Sequence, residues 1–254
     1  MSKIEKWFPY GIPTNTRAKA QLFCFPSAGG NAAVFKDWVN VSEKIGVIPV
    51  ELPGRGRYIT DLCTENIAEL TDNLVQVILE VASSPMVFYG HSMGGMIAFE
   101  LAVACKQNYL NGLEKLIVAG RHAPHQPDPS PLNSKMSNEE IVHQIKRMEG
   151  TPREILEHPE MLRFLLQIIR SDLKLHESFQ YRGQILDIPI IAHCGSKDNE
   201  ANRSIMSHWK TMTGASFDLE EFTGGHFFIQ SLGSTYRKAV FDAVLDTSTE
   251  SNFA

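Results

Sequence analysis

Five short apolar runs, QLFCF (21–25), GVIPVEL (46–52), PMVFYG (85–90), KLIVAG (115–120) and PIIAHCG (189–195), alternate with longer stretches whose apolar residues recur at helical spacing. A strand that is apolar along its whole length is covered on both faces, which is the condition of a parallel sheet wrapped by helices. The intervening stretches NAAVFKDWVNVSEKI (31–45), NIAELTDNLVQVILEVA (66–82) and GGMIAFELAVACKQN (94–108) supply the helices. Such an order predicts a doubly wound α/β fold with ligands at the carboxyl ends of the strands. With 254 residues and no Pro/Gly/Ser-rich linker, the chain reads as one domain over 1–254.

The alternation breaks after KLIVAGRHAP. About sixty residues follow without a strand pattern, opening on the proline-rich HAPHQPDPSPL. Ser137 with Glu140, and Thr151 with Glu154 behind Pro152, have the spacing of helix N-caps, and a third helix is expected from Pro159 through EMLRFLLQIIRSDLKLHESF. The spacing predicts a helical lid over residues 123–182, inserted between two strands. In its long helix Met161, Leu165 and Ile168 share one face, with Leu162, Leu166 and Ile169 beside them. Leu162 and Leu166 are expected to wall an apolar substrate site.

Between a strand and a helix lies YGHSMGG (89–95), so GHSMG occupies the strand-to-helix turn that gives G-x-S-x-G its chemical meaning. A serine there is exposed on a strained turn, and the N–H of Met93 and the positive end of the following helix face any negative charge that develops beside it. A serine nucleophile needs a base oriented by an acid, in the chain order Ser, acid, His for this architecture. His226, in the glycine-rich TGGHFFIQ after the last strand-like run SFDLEEF, is the expected base. Asp198 directly follows PIIAHCG and is the expected acid. Asp172 falls in the lid and Asp218 within the last strand-like run, where solvated or edge roles are expected. His91 occupies the variable position of the turn. The small residues of FPSAGG, Ala28 to Gly30, let a backbone N–H approach a substrate closely, and no phosphate-loop glycine pattern follows them.

A net charge of −5 and a pI near 6.0, with no basic run interleaved with aromatics, argue against a nucleic-acid partner. The apolar runs are strand-sized and the N-terminus lacks a signal-peptide core, so neither membrane insertion nor secretion is expected, and a cytoplasmic location is. The four cysteines show no CxxC pair and read as reduced thiols, three of them buried. The histidines form no metal-ligand pattern, and neither a metal nor an organic cofactor is expected.

Taken in order and spacing, LFCFPSAGG, ELPGRGR, YGHSMGGMIAFELA, GSKD and GGHFF resemble the type II (editing) thioesterases that accompany nonribosomal peptide and polyketide synthetases, members of the α/β-hydrolase superfamily. The similarity extends from about Trp7 to Val244 and includes the lid stretch EGTPREILEHPEMLRFLLQIIRSD. It implies an α/β-hydrolase fold, the catalytic set Ser92, Asp198 and His226, and an oxyanion hole made by the N–H groups of Ala28 and Met93. The implied substrates are acyl or aminoacyl thioesters on the phosphopantetheine arm of a carrier protein, which would be the enzyme's partner, the enzyme itself acting as a monomer. PGRGRY departs from the family's usual pattern, and Arg55 and Arg57 are read as parts of a structural turn. Alternatives to the carrier-thioester reading are a carboxylesterase or acyl-CoA hydrolase, and a non-catalytic binding protein on the same fold.

Overall fold

Six strands form one sheet in the computed structural model, which describes residues 2–14, 17–82, 85–107 and 112–246. The outer ends of the expected 1–254 domain, and Asn108 at the end of an expected helix, lie outside the described residues. Strands β1 (Ala20–Phe25), β2 (Ile45–Pro49), β3 (Met86–His91), β4 (Leu113–Ala119), β5 (Ile190–Gly195) and β6 (Phe217–Phe222) lie in the order β2-β1-β3-β4-β5-β6. Every neighbouring pair is parallel. Five of the strands coincide with the five apolar runs, and the sixth is SFDLEEF, an edge strand whose residues are only partly covered.

Alternate residues along the strands feed two separate cores, as the two-residue side-chain period requires. Phe23, Phe25, Phe88 and Val118 face α1 (Lys3–Trp7), α2 (Ile67–Val81) and α3 (Met93–Gln107). Leu22, Cys24, Tyr89 and Ile117 pack with Phe35, Trp38 and the C-terminal helix. Cys24, Cys105 and Cys194 are buried, Cys63 is half-buried, and all four are free thiols.

The helix expected over 31–45 is reduced to a 3₁₀ segment, Ala32–Trp38, capped by the Asn31 side chain. Val39 leaves the helical region and Asn40 turns the chain with φ +59°, so the apolar periodicity beyond Trp38 belongs to the approach to β2. Between β4 and β5 lie α4 (Asn138–Met148), α5 (Arg153–Glu157) and α6 (Pro159–Glu177). The Ser137–Glu140 capping box is present, and Pro159 opens α6 with the His158 ring accepting the Met161 N–H. Thr151 does not cap α5. That helix starts at Arg153 with Pro152, which has no side-chain acceptor, at its cap, and Thr151 borders a cavity instead. After β5 come α7 (Arg203–Met206), α8 (Phe228–Ser231) and α9 (Ser234–Leu245), the last covering the β1 face.

The strand order reverses around β1, so the loops leaving β1 and β3 stand side by side above their carboxyl ends. That crevice is where doubly wound sheets hold ligands.

Candidate active site

β3 ends at His91 and α3 begins at Met93, leaving Ser92 alone at the turn with φ +54°. A non-glycine residue in the left-handed region is strained, and the turn is held there by the Ser92 N–H donating to the Ala119 carbonyl at 2.8 Å. The flanking glycines are required by space. A Cβ on Gly90 would lie 2.1 Å from the Gly94 carbonyl oxygen, and one on Gly94 would lie 2.1 Å from that of Phe25. Helix α3 therefore starts in backbone contact with the end of β1.

His226 reaches Ser92 from the loop after β6, its Nε2 standing 3.0 Å from the serine Oγ. Its Nδ1 is 2.8 Å from Asp198 Oδ2. Because a carboxylate only accepts, Nδ1 carries the proton and Nε2 offers its lone pair to the serine hydroxyl. Asp198 Oδ1 accepts the N–H groups of Glu200 and Ala201 at 2.9 and 3.1 Å. Burial pushes the Asp198 carboxyl up, but the hydrogen bond and charge of His226 and these two N–H groups outweigh it and leave it below its ordinary range.

A cavity of about 520 Å³ opens over Ser92. Ala28 and Met93 both line it, on the two loops that meet at the reversal of strand order. Met93 is the first residue of α3, so its N–H has no acceptor within the helix. Leu165 and Ile169 supply part of the apolar wall. Leu162 and Leu166, expected there, do not line the cavity. They lie on the neighbouring face of α6, where Leu166 is buried against Ile141, Ile145, Ile169 and Leu173. Leu165 and Ile169 pack with that same cluster, so the cavity wall and the α4–α6 contact share residues while Leu162 and Leu166 stay on its far side from the cavity.

Several residues with a bearing on the site carry no motif of their own. His91 is buried, and its Nε2 lies 2.9 Å from the His226 carbonyl oxygen, to which it donates. Burial first, and then the neighbouring His226, push its pKa down to about 3, so it braces the His226 loop as a neutral ring. Arg121 lines the cavity with Nη2 2.7 Å from His176 Nε2, and burial lowers it to about 10, leaving it charged. Asp172, read from the sequence as solvated, is fully buried and bound to Arg55. A signal for this was present: Asp172 falls seven residues after Leu165 and three after Ile169, on the apolar face of its helix. Arg57 is exposed in the 3₁₀ turn Gly56–Tyr58.

The thioesterase domain family matches residues 20–246. The chain belongs to that family. Curated relatives of this thioesterase include the gramicidin S biosynthesis protein GrsT of Aneurinibacillus migulanus, 32% identical with 90% of each chain covered. Thioesterase PikA5 of Streptomyces venezuelae is 31% identical, covering 82% of this chain and 75% of its own. Among solved structures, the type II thioesterase BorB from the borrelidin biosynthetic cluster superposes with a TM-score of 0.79 at 29% identity, over 93% of this chain and 96% of BorB. The protein is thus a thioester hydrolase on the α/β-hydrolase fold. Among the described residues no helix is long and apolar enough to cross a membrane, and no cluster of His, Cys, Asp and Glu has the make-up of a metal site.

The buried histidines should make this thioesterase acid-sensitive. His91, His122 and His193 are pushed down to about 3 and His176 to about 4, in each case chiefly by burial. In the unfolded chain they take up protons near pH 6.5, so below that value the unfolded state binds more protons than the native one and stability falls with pH. Each group contributes at most about 1.4 kcal/mol per pH unit. The depressed Asp198 adds a loss only at still lower pH, as it protonates. Urea midpoints should be level from pH 8 to 7 and drop steeply from pH 6.5 to 4.5. A flat profile over that lower range would show that these rings are hydrated in the native state.

Proposed function

We propose that the chain hydrolyses acyl or aminoacyl thioesters held on the phosphopantetheine arm of a carrier protein, clearing stalled groups from a nonribosomal peptide or polyketide synthetase. The observation that carries this reading is the chain of contacts from Ser92 Oγ through His226 to Asp198, at 3.0 and 2.8 Å, opening into a cavity with an apolar wall, in a protein of the thioesterase family. GrsT is named for gramicidin S biosynthesis and BorB comes from the borrelidin biosynthetic cluster, and that supports the choice of carrier.

Ser92 Oγ attacks the thioester carbonyl as His226 Nε2 takes its proton. The N–H groups of Ala28 and Met93, with the N-terminal end of α3, receive the oxyanion. Collapse of the intermediate expels the carrier thiol, which takes the proton from Nε2. Water then attacks the acyl-serine with His226 again as base, releasing the acid and restoring Ser92. No step of this cycle calls on a metal or organic cofactor. The helical segment between β4 and β5 acts as the lid of a single hydrolase domain, and the enzyme works in the cytoplasm beside its synthetase.

The test compares one acyl chain on carrier protein, on coenzyme A and as a p-nitrophenyl ester. Carrier-bound substrate should show the highest kcat/KM, by about tenfold or more, because docking binding energy is available only to it. A preference for the ester or the coenzyme A thioester would replace this reading with a carboxylesterase or an acyl-CoA hydrolase.

A further inference from the structure

The turn that carries Ala28 is tied to helix α6 by a buried ion pair. Asp172 Oδ2 accepts the Gly29 N–H at 2.8 Å and Arg55 Nη1 at 2.8 Å, while Oδ1 accepts Arg55 Nη2 at 2.5 Å. Arg55 Nη1 also donates to the Gly30 carbonyl at 3.1 Å. Arg55 and Asp172 are 2% and 0% exposed, and they stand 117 positions apart in the chain. Within the turn the Gly30 N–H donates to the Ser27 carbonyl at 2.9 Å, which puts Ala28 and Gly29 at its centre. Gly29 has φ +72°, the value a type II turn demands at its third residue. Type I and type II turns differ by a flip of the peptide between their central residues. Here that peptide is Ala28–Gly29, and its N–H is the one Asp172 holds. Glu51 Oε1 takes the Ala32 N–H at 3.2 Å and steadies the far end of the loop.

A buried ion pair is a poor device for stability alone, since an apolar pair of similar volume does as well or better. Its geometric demand is what distinguishes it. We propose that Arg55 and Asp172 are positioning residues that couple the seat of α6 to the oxyanion turn. With α6 in place the carboxylate fixes the Ala28–Gly29 peptide and, one Cα away, the seat of the preceding Ser27–Ala28 peptide that carries the Ala28 N–H. With α6 displaced, the Arg55 charge and the Gly29 N–H lose their partner together and the turn is released. The inference rests on the reading of Ala28 as an oxyanion donor.

The test separates stability from rate. Arg55→Met combined with Asp172→Leu replaces the pair by apolar groups and removes the acceptor for Gly29. Its Tm should fall only modestly, through the unpaired Gly29 N–H and Gly30 carbonyl, while kcat on acetyl p-nitrophenyl ester falls about 10- to 100-fold with KM little changed, the scale of a misplaced catalytic group. Asp172→Asn keeps an oxygen for the Gly29 N–H but leaves the Arg55 charge uncompensated, so Tm should drop while kcat, measured below the transition, stays within about threefold. Full kcat in the double variant, or kcat tracking Tm across the set, overturns the coupling, and the Asn variant decides alone if the double variant does not fold. Ala28→Pro checks the underlying reading, because proline suits the second position of a type II turn and deletes only the N–H. It should lower kcat by about 10²- to 10³-fold. Unchanged kcat there would discard Ala28 as a donor, a result distinct from failure of the coupling.

Discussion

Ser92→Ala is expected to lower kcat by on the order of 10⁶ while leaving the fold in place. The serine hydroxyl is the group that lies 3.0 Å from His226 Nε2, and no other hydroxyl is placed at that nitrogen among the described residues. The side chain is small and half-exposed, and the turn is held by backbone contacts of Gly90, Gly94 and Ala119 that alanine leaves intact. Removing the oxygen therefore removes chemistry and little else. A fluorophosphonate should label Ser92 in the parent, at that one residue, and give no adduct in the variant. Retention of more than a few per cent of activity with an unchanged Tm would end the acyl-serine mechanism.

Asp198→Asn should lower the rate by on the order of 10⁴, as it does for the acid of a serine protease triad. The asparagine amide can present an N–H to His226 Nδ1, which then accepts and passes its proton to Nε2. The ring would face Ser92 with a donor where the reaction needs an acceptor. The two backbone N–H groups of Glu200 and Ala201 still find an oxygen at Oδ1, so the loop keeps its shape. Asp218→Asn, on the edge strand β6, should be nearly silent in the same assay. If Asp198→Asn kept a tenth of the parent rate, the acid of the site would have to be sought elsewhere.

Sequence alone places the sheet well, because five of its six strands are short apolar runs, several of them bounded by Gly or Pro, that alternate with helical patterns. It places Ser92, His226 and Asp198 for a related reason: all three follow directly on strands, and the end of a strand fixes where the next few residues can be. Contacts between distant loops leave no such local mark. Arg55 looks like a turn residue because its partner is on α6, and the glycines around it suit a turn equally well. Leu162 and Leu166 illustrate the opposite difficulty, for α6 has apolar residues on two adjacent faces and periodicity does not say which of them meets α4. The shortened helix after Asn31 shows a third, since two valines continue the apolar pattern past a residue, Asn40, whose backbone turns away. His91, at the variable position of a known motif, is the quietest in sequence and among the most constrained in space.

The parallel sheet also sets a schedule. Its strands can pair only across long connections, and none is longer than the one from Ala119 to Ile190 that carries α4, α5 and α6. Closing a loop of that size is entropically slow, so β5 and β6 join a sheet whose first four strands are already adjacent in sequence. Ser92 belongs to the early part, and His226 and Asp198 to the late one. A ribosome therefore releases the Ser92 turn well before His226 and Asp198 exist. The contacts from Ser92 through His226 to Asp198 come into being only with the last pairing of the sheet.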